Sequence, residues 1–475
     1  MTLLDVYWGR TDMGTRVGTA DGISMTNTDT LWGHPKGLYV LFFTEMWERF
    51  SYYGMRALLV LYMTKHLLDA AAAGTPVFGY GLIIAGIQAV FGKLTNQALS
   101  SQIYGLYTGF VYFTPFFGGI LADKILGQRK SVYLGGVLMA IGHFLMAVES
   151  MFFPALFFLI LGNGCFKPNI STQVGSLYPE GDTRRDSAFT IFYMGINLGA
   201  FFSPLVCGTL GQNYGWHYGF GAAGIGMLVG LVIYAWGQKY LPADRIMKKA
   251  AAHDLTQEPL NAEDWKRIIA LVILCTVNIL FWSIYEQQGN TLQLWADQNT
   301  NWSLLGFQVP STWFQSFNPG MIFIFAPILN IFWGWQSKKG KEPSSVAKMG
   351  IGCFLCGAAY VVMIVASKFI GGTEKGHVMW LVGTVWLFTM GELYLSPIGL
   401  SLVTKVSPPK IVSMMMGMWF LSSFFGNYAA GWLGGYYERM TKDMFFGMLF
   451  VIGISAGLIF FAAKKPLQKV IGHDV

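Results

Sequence analysis

The sequence predicts an all-α integral membrane protein, and its composition points to lipid as the surrounding medium. Of the 475 residues, 53% are hydrophobic and only 12% are charged, whereas soluble domains contain about 25% charged residues. Apolar stretches of roughly 20 residues, the length that crosses a bilayer as a helix, recur between positions 37 and 463. The first thirty residues are polar, so we expect the first span, rather than a cleaved leader, to direct insertion.

Twelve apolar segments are long enough to be transmembrane helices. Their predicted limits are 37–64, 97–121, 131–150, 153–174, 187–210, 217–240, 265–290, 312–336, 345–368, 377–404, 410–434 and 443–463. One further apolar run, 77–91, is too short for a complete span, and we interpret it as a helix at the membrane interface. A thirteenth span at this position is the alternative.

The longest charged stretch divides the twelve spans into two sets of six. Two six-helix bundles around a central cavity near the bilayer midplane are a common plan among membrane transporters. The predicted units are therefore a tail (1–36), a first bundle (37–240), a linker (241–264), a second bundle (265–464) and a second tail (465–475).

The distribution of Lys and Arg predicts the orientation of the chain. Of the 32 basic residues, 23 fall in the tails and in the loops on the side of the two termini, and six fall in the loops on the other side. Because cytoplasmic loops carry the excess of Lys and Arg, we expect both termini in the cytoplasm. The net charge of +7 is then a topology signal, and we expect no nucleic-acid partner.

The remaining three basic residues, Arg49, Arg56 and Lys167, lie inside spans. A charge at the centre of a span costs about 2.5–3.5 kcal/mol, so such residues normally face a polar interior and have a function. Lys167 could alternatively extend towards the interface, because it lies about two-thirds of the way along its span.

Acidic residues also lie within the first span. Glu45 and Arg49 are four residues apart and can pair along one helix face, which Tyr53 and Arg56 continue, with Glu48 beside it. So many polar groups on one helix favour a water-filled cavity over simple packing of a charge-neutralised helix.

Two further carboxylates, Glu286 and Glu392, lie in spans of the second half. Glu392 has no basic residue in its own helix, so it requires a partner from elsewhere or binds a cation. Glu286 is near the end of its span and could alternatively be a surface residue. Basic groups in one half and acidic groups in the other match a solute that is charged at both ends, such as an amino acid or a short peptide.

The sequence offers no sign of metal or enzyme chemistry. All five cysteines fall in apolar stretches, and even the closely spaced Cys353 and Cys356 are interpreted as packing residues without a second pair or a histidine cluster. There is no metal-ligand helix motif, nucleophile elbow or phosphate loop. We therefore expect neither an enzyme nor a bound cofactor.

Several motifs together resemble the proton-dependent oligopeptide transporters of the major facilitator superfamily. The most specific is the E-x-x-E-R pattern of Glu45, Glu48 and Arg49. The other matching stretches are 192–199 (FYMGINLG), 167–169 (KPN), 281–287 (FWSIYEQ), 317–319 (FNP) and 391–393 (GEL). A less specific match is the loop between spans two and three, which resembles the conformational loop motif of the superfamily through Gly119, Asp123, Lys124, Gly127 and Arg129.

The resemblance implies the major facilitator fold and uptake of di- and tripeptides driven by protons as the coupling ion. It implies a monomer in the inner membrane of a bacterium. The substrate-binding residues that it implies are Arg49, Tyr53, Arg56, Tyr112, Lys167, Asn197, Trp282, Asn318, Glu392 and Trp419. Those implied in proton coupling are Glu45, Glu48, Arg49, Lys167 and Glu286.

Within this scheme we expect Lys167 to pair with a carboxylate when the site is empty, and to be released when a proton and a peptide bind. Many bacterial members have two extra helices between the halves, for which 241–264 is too short. Two other functions remain open: a facilitator for another small anion such as nitrate, and a membrane sensor that binds peptides without transporting them.

Overall fold

The computed structural model describes residues 30–179, 181–244, 260–304, 306–370, 374–408 and 411–471. This part of the chain is almost entirely helical, and twelve of its helices have 19 residues or more. The helices are α1 (Lys36–Tyr62), α2 (Leu68–Ala72), α3 (Tyr80–Phe91), α4 (Asn96–Leu121), α5 (Gln128–Met146), α6 (Phe152–Ser176), α7 (Arg184–Ser203), α8 (Thr209–Asn213), α9 (Trp216–Trp236), α10 (Ala262–Tyr285), α11 (Thr291–Asn299), α12 (Phe317–Lys338), α13 (Ser345–Phe369), α14 (Met379–Val406), α15 (Val412–Gly434) and α16 (Lys442–Ile471).

Six two-residue strands form three small ladders in the loops. They are β1 (Thr30–Leu31), β2 (His34–Pro35), β3 (Thr300–Asn301), β4 (Ser303–Leu304), β5 (Phe307–Gln308) and β6 (Gly376–His377). β1 pairs with β2 and β4 with β5 in antiparallel fashion, and β3 pairs with β6 in parallel. These ladders join loops outside the helices and contribute nothing to the central site.

Side-chain caps fix where several long helices begin. The Thr95 hydroxyl accepts a hydrogen bond from the amide of Ala98 at the start of α4. Asn261 and Asp264 form a reciprocal capping box at the start of α10. Because the first amides of a helix have no partner within it, these side chains stabilise the helix ends by about 1 kcal/mol each.

The structure confirms the predicted fold class of long apolar helices. In the described residues, nine helical segments are long and apolar enough to cross a membrane. The helices α1, α5 and α15 complete the predicted twelve, and in α1 the buried charges lower the hydropathy. Several helices run on beyond the predicted limits: the segment begun by α10 continues through a 3-10 turn and α11 to Asn299.

The run at 77–91 forms α3, a helix of 12 residues. At 1.5 Å per residue it is about 18 Å long, which is too short to cross the roughly 30 Å hydrocarbon layer. Ile84 and Ile87 pack against the rest of the protein, while Leu82 and Val90 are 82% and 73% exposed. This arrangement suits a helix that lies along the membrane interface.

Buried apolar side chains form two large clusters. One contains residues between Leu38 and Leu241, and the other contains residues between Ala270 and Phe460 together with two residues of α1. We call the helices around these clusters the first half (α1–α9) and the second half (α10–α16). The predicted tail 1–36 and linker 241–264 lie largely outside the described residues, and α16 continues into the predicted second tail.

Besides the packing of α4 against α15, the two halves are joined by polar contacts at one end of the molecule. We call the end at which α1 starts the tail side and the opposite end the far side. On the far side, Lys65 Nζ lies 2.5 Å from an Asp297 carboxylate oxygen, and the Ser101 hydroxyl donates to Asn290 Oδ1 over 2.8 Å. These contacts, which we call the far-side layer, close the space between the halves at that end.

Candidate functional site

A central cavity of about 160 Å³ lies between the two halves. Its wall includes predicted site residues from six different helical segments, namely Tyr53, Arg56, Tyr112, Asn197, Trp282, Glu286, Asn318 and Glu392. The other wall residues are Tyr193, Ile196, Ala200, Pro204, Tyr285, Gln288, Gln315, Pro319 and Ile322. Folding thus brings most of the substrate-binding residues implied by the sequence to one enclosed polar space.

An ion pair between the halves closes the far-side end of this cavity. The guanidinium of Arg56 on α1 donates through Nη2 to the carboxylate of Glu286, which follows the last residue of α10. Arg56 Nε also donates to the Tyr104 hydroxyl over 2.7 Å. Both charged side chains are buried, at 11% and 3% exposure. Removing one partner would leave the other charge buried without compensation.

Glu392 on α14 presents a negative charge to the cavity. Its Oε2 accepts a hydrogen bond from the Tyr285 hydroxyl over 2.5 Å and one from Asn318 Nδ2 over 3.0 Å. Within the described part of the chain, no Lys, Arg or His nitrogen lies within the 4.0 Å that defines an ion pair with Glu392. The carboxylate is therefore oriented by neutral groups and lacks a counter-ion.

Lys167 on α6 is not among the wall residues of the cavity, but it contacts the wall residue Tyr112. Its Nζ is 4.6 Å from the centroid of the Tyr112 ring, which is a cation–π distance. Among the described residues no carboxylate oxygen lies within 4.0 Å of this amine, so the predicted ion pair of Lys167 is not formed in this conformation. The nearby carboxylates of Glu45 and Glu48 are engaged by Arg49 instead, which is the physical reason for the difference.

The E-x-x-E-R residues form a compact, buried cluster on α1. Arg49 Nε lies 3.2 Å from Glu45 Oε1, as the four-residue spacing predicts, and Arg49 Nη2 donates to Glu48 Oε1 over 2.8 Å. All three side chains are at most 3% exposed. They lie outside the wall of the cavity, so Arg49 reaches a solute only if this cluster rearranges.

Trp419 was expected in the wall, and the structure places it elsewhere. Its ring packs against Gly399, where an added Cβ would lie 2.3 Å from it, inside the core of the second half. A tryptophan in a transmembrane helix is apolar enough to pack in a core. Its position in the sequence does not show whether it lies in the cavity wall or in the core. Tyr285, which donates to Glu392, is not among the predicted site residues, although a polar aromatic residue beside Glu286 in a span is a usable signal.

The loop motif forms a turn between α4 and α5. Gly127 adopts a φ of 82°, which favours glycine, and Asp123 and Lys124 before it are exposed. Arg129 donates hydrogen bonds to two residues that follow α9. Its amide donates to Asp244 over 2.7 Å, and its Nε donates to Gln238 over 2.6 Å. The motif therefore ties the start of α5 to the chain that follows α9.

Comparisons with known proteins decide the family. A family model described as the POT family matches residues 129–258 and 241–452. The di-/tripeptide transporter of Lactococcus lactis subsp. cremoris is 32% identical to this chain, over 93% of the chain and 98% of that protein. The chain belongs to the POT family. The match to the family model begins after α4, so it does not include the E-x-x-E-R cluster.

Other POT proteins cover the chain almost completely. A peptide transporter of Yersinia enterocolitica is 34% identical over 88% of this chain and 92% of its own length. A solved structure of a POT peptide transporter in complex with sulfate has 32% identity and a TM-score of 0.81, and covers 93% of this chain and 97% of the other. A POT family transporter in complex with 5-aminolevulinic acid has 29% identity and a TM-score of 0.79, with 93% and 98% coverage. As a member of the POT family, this chain is a membrane transporter.

Proposed function

We propose that this protein carries di- and tripeptides together with protons across the membrane by alternating access. The observation that supports it most strongly is the charge pattern of the cavity. Among the described residues, Glu392 in the wall has no counter-ion, and Lys167, which contacts the wall residue Tyr112, has no carboxylate partner. A peptide with a free ammonium and a free carboxylate would compensate both charges at once.

The amino terminus of the peptide is assigned to Glu392 and Asn318 of the second half and to Asn197 of the first half. A charge-assisted hydrogen bond from the ammonium to Glu392 is stronger than one between neutral groups. Asn318 already donates to Glu392 and has a carbonyl oxygen left to accept from the same ammonium. Asn197 lies in the wall of the cavity with only 5% of its surface exposed, and its amide would contribute a further contact.

The carboxylate of the peptide is assigned to the basic groups of the first half. Lys167, which contacts the wall residue Tyr112, would supply the main charge, and Tyr53 and Arg56 are in the wall of the cavity. Arg49 joins them only when its cluster with the two glutamates opens. Tyr112 and Trp282 would flank the peptide between its two ends.

Proton coupling is assigned to the carboxylates that form ion pairs with arginine side chains. Protonation of Glu286 would remove its charge and release Arg56, which weakens the contact between the halves at the far side. Protonation of Glu45 or Glu48 would similarly remove one of the two carboxylates that hold Arg49. A proton would therefore favour opening of the far-side layer, and its departure would favour closure, which couples proton movement to access.

The proposed orientation of the chain in the membrane rests on the count of basic residues. With 23 of the 32 basic residues in the tails and tail-side loops, the positive-inside rule puts both termini in the cytoplasm. The far-side layer then faces outwards, and the inner membrane of a bacterium is the proposed location. The exposed loop motif would flex as the halves rock against each other, and the protein would act as a monomer.

The test is transport in liposomes. Purified protein would be reconstituted and given a labelled dipeptide, with an inward proton gradient and without one. We expect accumulation above the external concentration only with the gradient. Binding without any uptake would support a peptide sensor instead, and uptake of nitrate with no uptake of peptide would support an anion facilitator.

A further inference from the structure

The two ionic clusters of α1 lie on one line of the helix. Glu48, Tyr52 and Arg56 follow each other at intervals of four residues, so they share a face. Glu48 belongs to the pair with Arg49, and Arg56 belongs to the pair with Glu286. The two pairs are two helical turns apart, about 12 Å along the axis, and Tyr52 lies midway between them.

Two buried hydroxyls occupy this interval without a hydrogen-bond partner. Tyr52 on α1 is 3% exposed and Tyr107 on α4 is 2% exposed. In the described part of the chain, neither phenol oxygen has a partner within hydrogen-bond distance. A buried polar group left unpaired costs about 1–3 kcal/mol, and such groups in proteins are normally satisfied by ordered water.

The charges around these two hydroxyls belong to both ionic clusters. Tyr107 is within electrostatic range of Glu48 and Arg49 from one cluster and of Arg56 from the other cluster. Tyr52 is influenced by Arg49, Arg56 and Glu286, and the Arg49 guanidinium lies 5.2 Å from the centre of its ring. The nearby Tyr104 hydroxyl is already bonded to Arg56 and is not free for this role.

Contact with the transported solute does not explain the two hydroxyls. Neither Tyr52 nor Tyr107 is in the wall of the central cavity, whereas the adjacent Tyr53 is. Packing alone does not explain them either, because phenylalanine would fill the same volume without burying a hydroxyl. A polar link between the two ionic clusters accounts for their position.

We propose that Tyr52 and Tyr107, with bridging water, form a proton relay that connects Glu286 to Glu48. A protonated Glu286 gives its proton to the relay and becomes a carboxylate, which pairs again with Arg56. Each hydroxyl accepts a proton on its oxygen and passes its own proton on, so the tyrosines end unchanged. Glu48 receives the proton and loses its ion pair with Arg49, which Glu45 still holds. Only O–H bonds form and break, and one proton moves from one carboxyl group to the other.

This inference rests on the proposed proton coupling and adds residues that the solute does not touch. The test uses Tyr52→Phe and Tyr107→Phe, which keep the ring and remove only the hydroxyl. The matched control is Tyr437→Phe, because Tyr437 is also buried with an unpartnered hydroxyl but belongs to the core of the second half. Each variant would be reconstituted in liposomes beside the wild-type protein.

Two transport modes separate the relay from a structural role. In gradient-driven uptake the proton has to cross, and positioned proton-transfer groups contribute a factor of about 100 or more, so we expect at least a tenfold fall in both variants. In exchange of labelled for unlabelled peptide without a gradient, no net proton movement is needed, and we expect wild-type rates. The control should match the wild type in both modes.

The outcomes discriminate between the hypotheses. Wild-type gradient-driven uptake in both phenylalanine variants overturns the relay, and so does an equal loss of uptake and exchange, which indicates a structural role. If the wild-type protein itself exchanges peptide but never accumulates it with a gradient, the proposed coupling fails rather than the relay alone. Pyranine trapped inside the liposomes would report proton entry directly.

Discussion

Arg56 of α1 and Glu286 at the end of α10 form a buried ion pair across the two halves, and no other buried ion pair between halves is present in the described residues. The pair stands where the cavity meets the far-side layer. Because both partners are buried, the loss of one charge destabilises this contact much more than the loss of an exposed pair would. The pair is therefore suited to control access at that end.

The substitution Glu286→Gln should uncouple transport from the proton gradient. A carboxamide keeps the shape of the side chain but neither carries a charge nor binds a proton, so the proton can no longer alter the contact with Arg56. We expect uptake with the gradient to fall to within about twofold of uptake without it, while exchange of peptide continues. The control is Glu438→Gln, since Glu438 also bridges the halves through Thr95 but is exposed. Full gradient-driven accumulation in Glu286→Gln would contradict the coupling role.

The substitution Glu392→Gln should weaken recognition of a free amino terminus. A hydrogen bond to a charged group contributes about 1.5–3 kcal/mol, so the half-saturating concentration of a dipeptide should rise about 10- to 100-fold. An N-acetylated dipeptide, which has no ammonium, should be affected far less. Glu263→Gln is the control, because Glu263 is exposed at the start of α10. An equal effect on both peptides would show that Glu392 does not bind the ammonium.

The substitution Lys167→Ala should abolish gradient-driven uptake of peptides that have a free carboxylate. The amine is the one basic group beside the cavity that the described structure leaves without a carboxylate partner. A dipeptide with an amidated carboxyl end lacks the carboxylate and should bind weakly to the wild-type protein. Its affinity, measured by competition, should fall little further in the variant. Lys348→Ala is the control, since Lys348 also lies over an aromatic ring, that of Trp333, but is remote from the cavity. Wild-type uptake by Lys167→Ala would refute the assignment.

The substitution Gly118→Ala should destabilise the first half. A Cβ at Gly118 would lie 1.9 Å from the carbonyl oxygen of Gly164, so α4 and α6 would have to separate. Overpacking of this kind costs about 1–3 kcal/mol, and we expect a lower midpoint of thermal unfolding in detergent. The neighbouring Gly119→Ala is the control, because a Cβ there meets nothing within 4 Å. Equal midpoints for the two variants would show that this contact does not limit stability.

Hydropathy was sufficient to predict the long helices, because burial in lipid depends on the composition of each segment. Hydropathy was insufficient to predict helices whose polar residues are buried against other parts of the protein and not in lipid. The span predicted to stop at 290 continues to Asn299, and within this extension Gln293 is fully buried and is bonded by Gln315. A polar segment of this kind resembles a loop in the sequence, and only its tertiary partners reveal it as a buried helix.

The sequence by itself determined which charged residues lie inside apolar spans, where a charge is costly however the span packs. Arg56, Lys167, Glu286 and Glu392 were identified in this way. Only the tertiary structure decided their partners. Arg56 meets Glu286 across 230 positions of the chain and Glu392 meets Tyr285 across 107. Those pairings depend on how separate helices pack against each other, and no local pattern in the chain encodes that geometry.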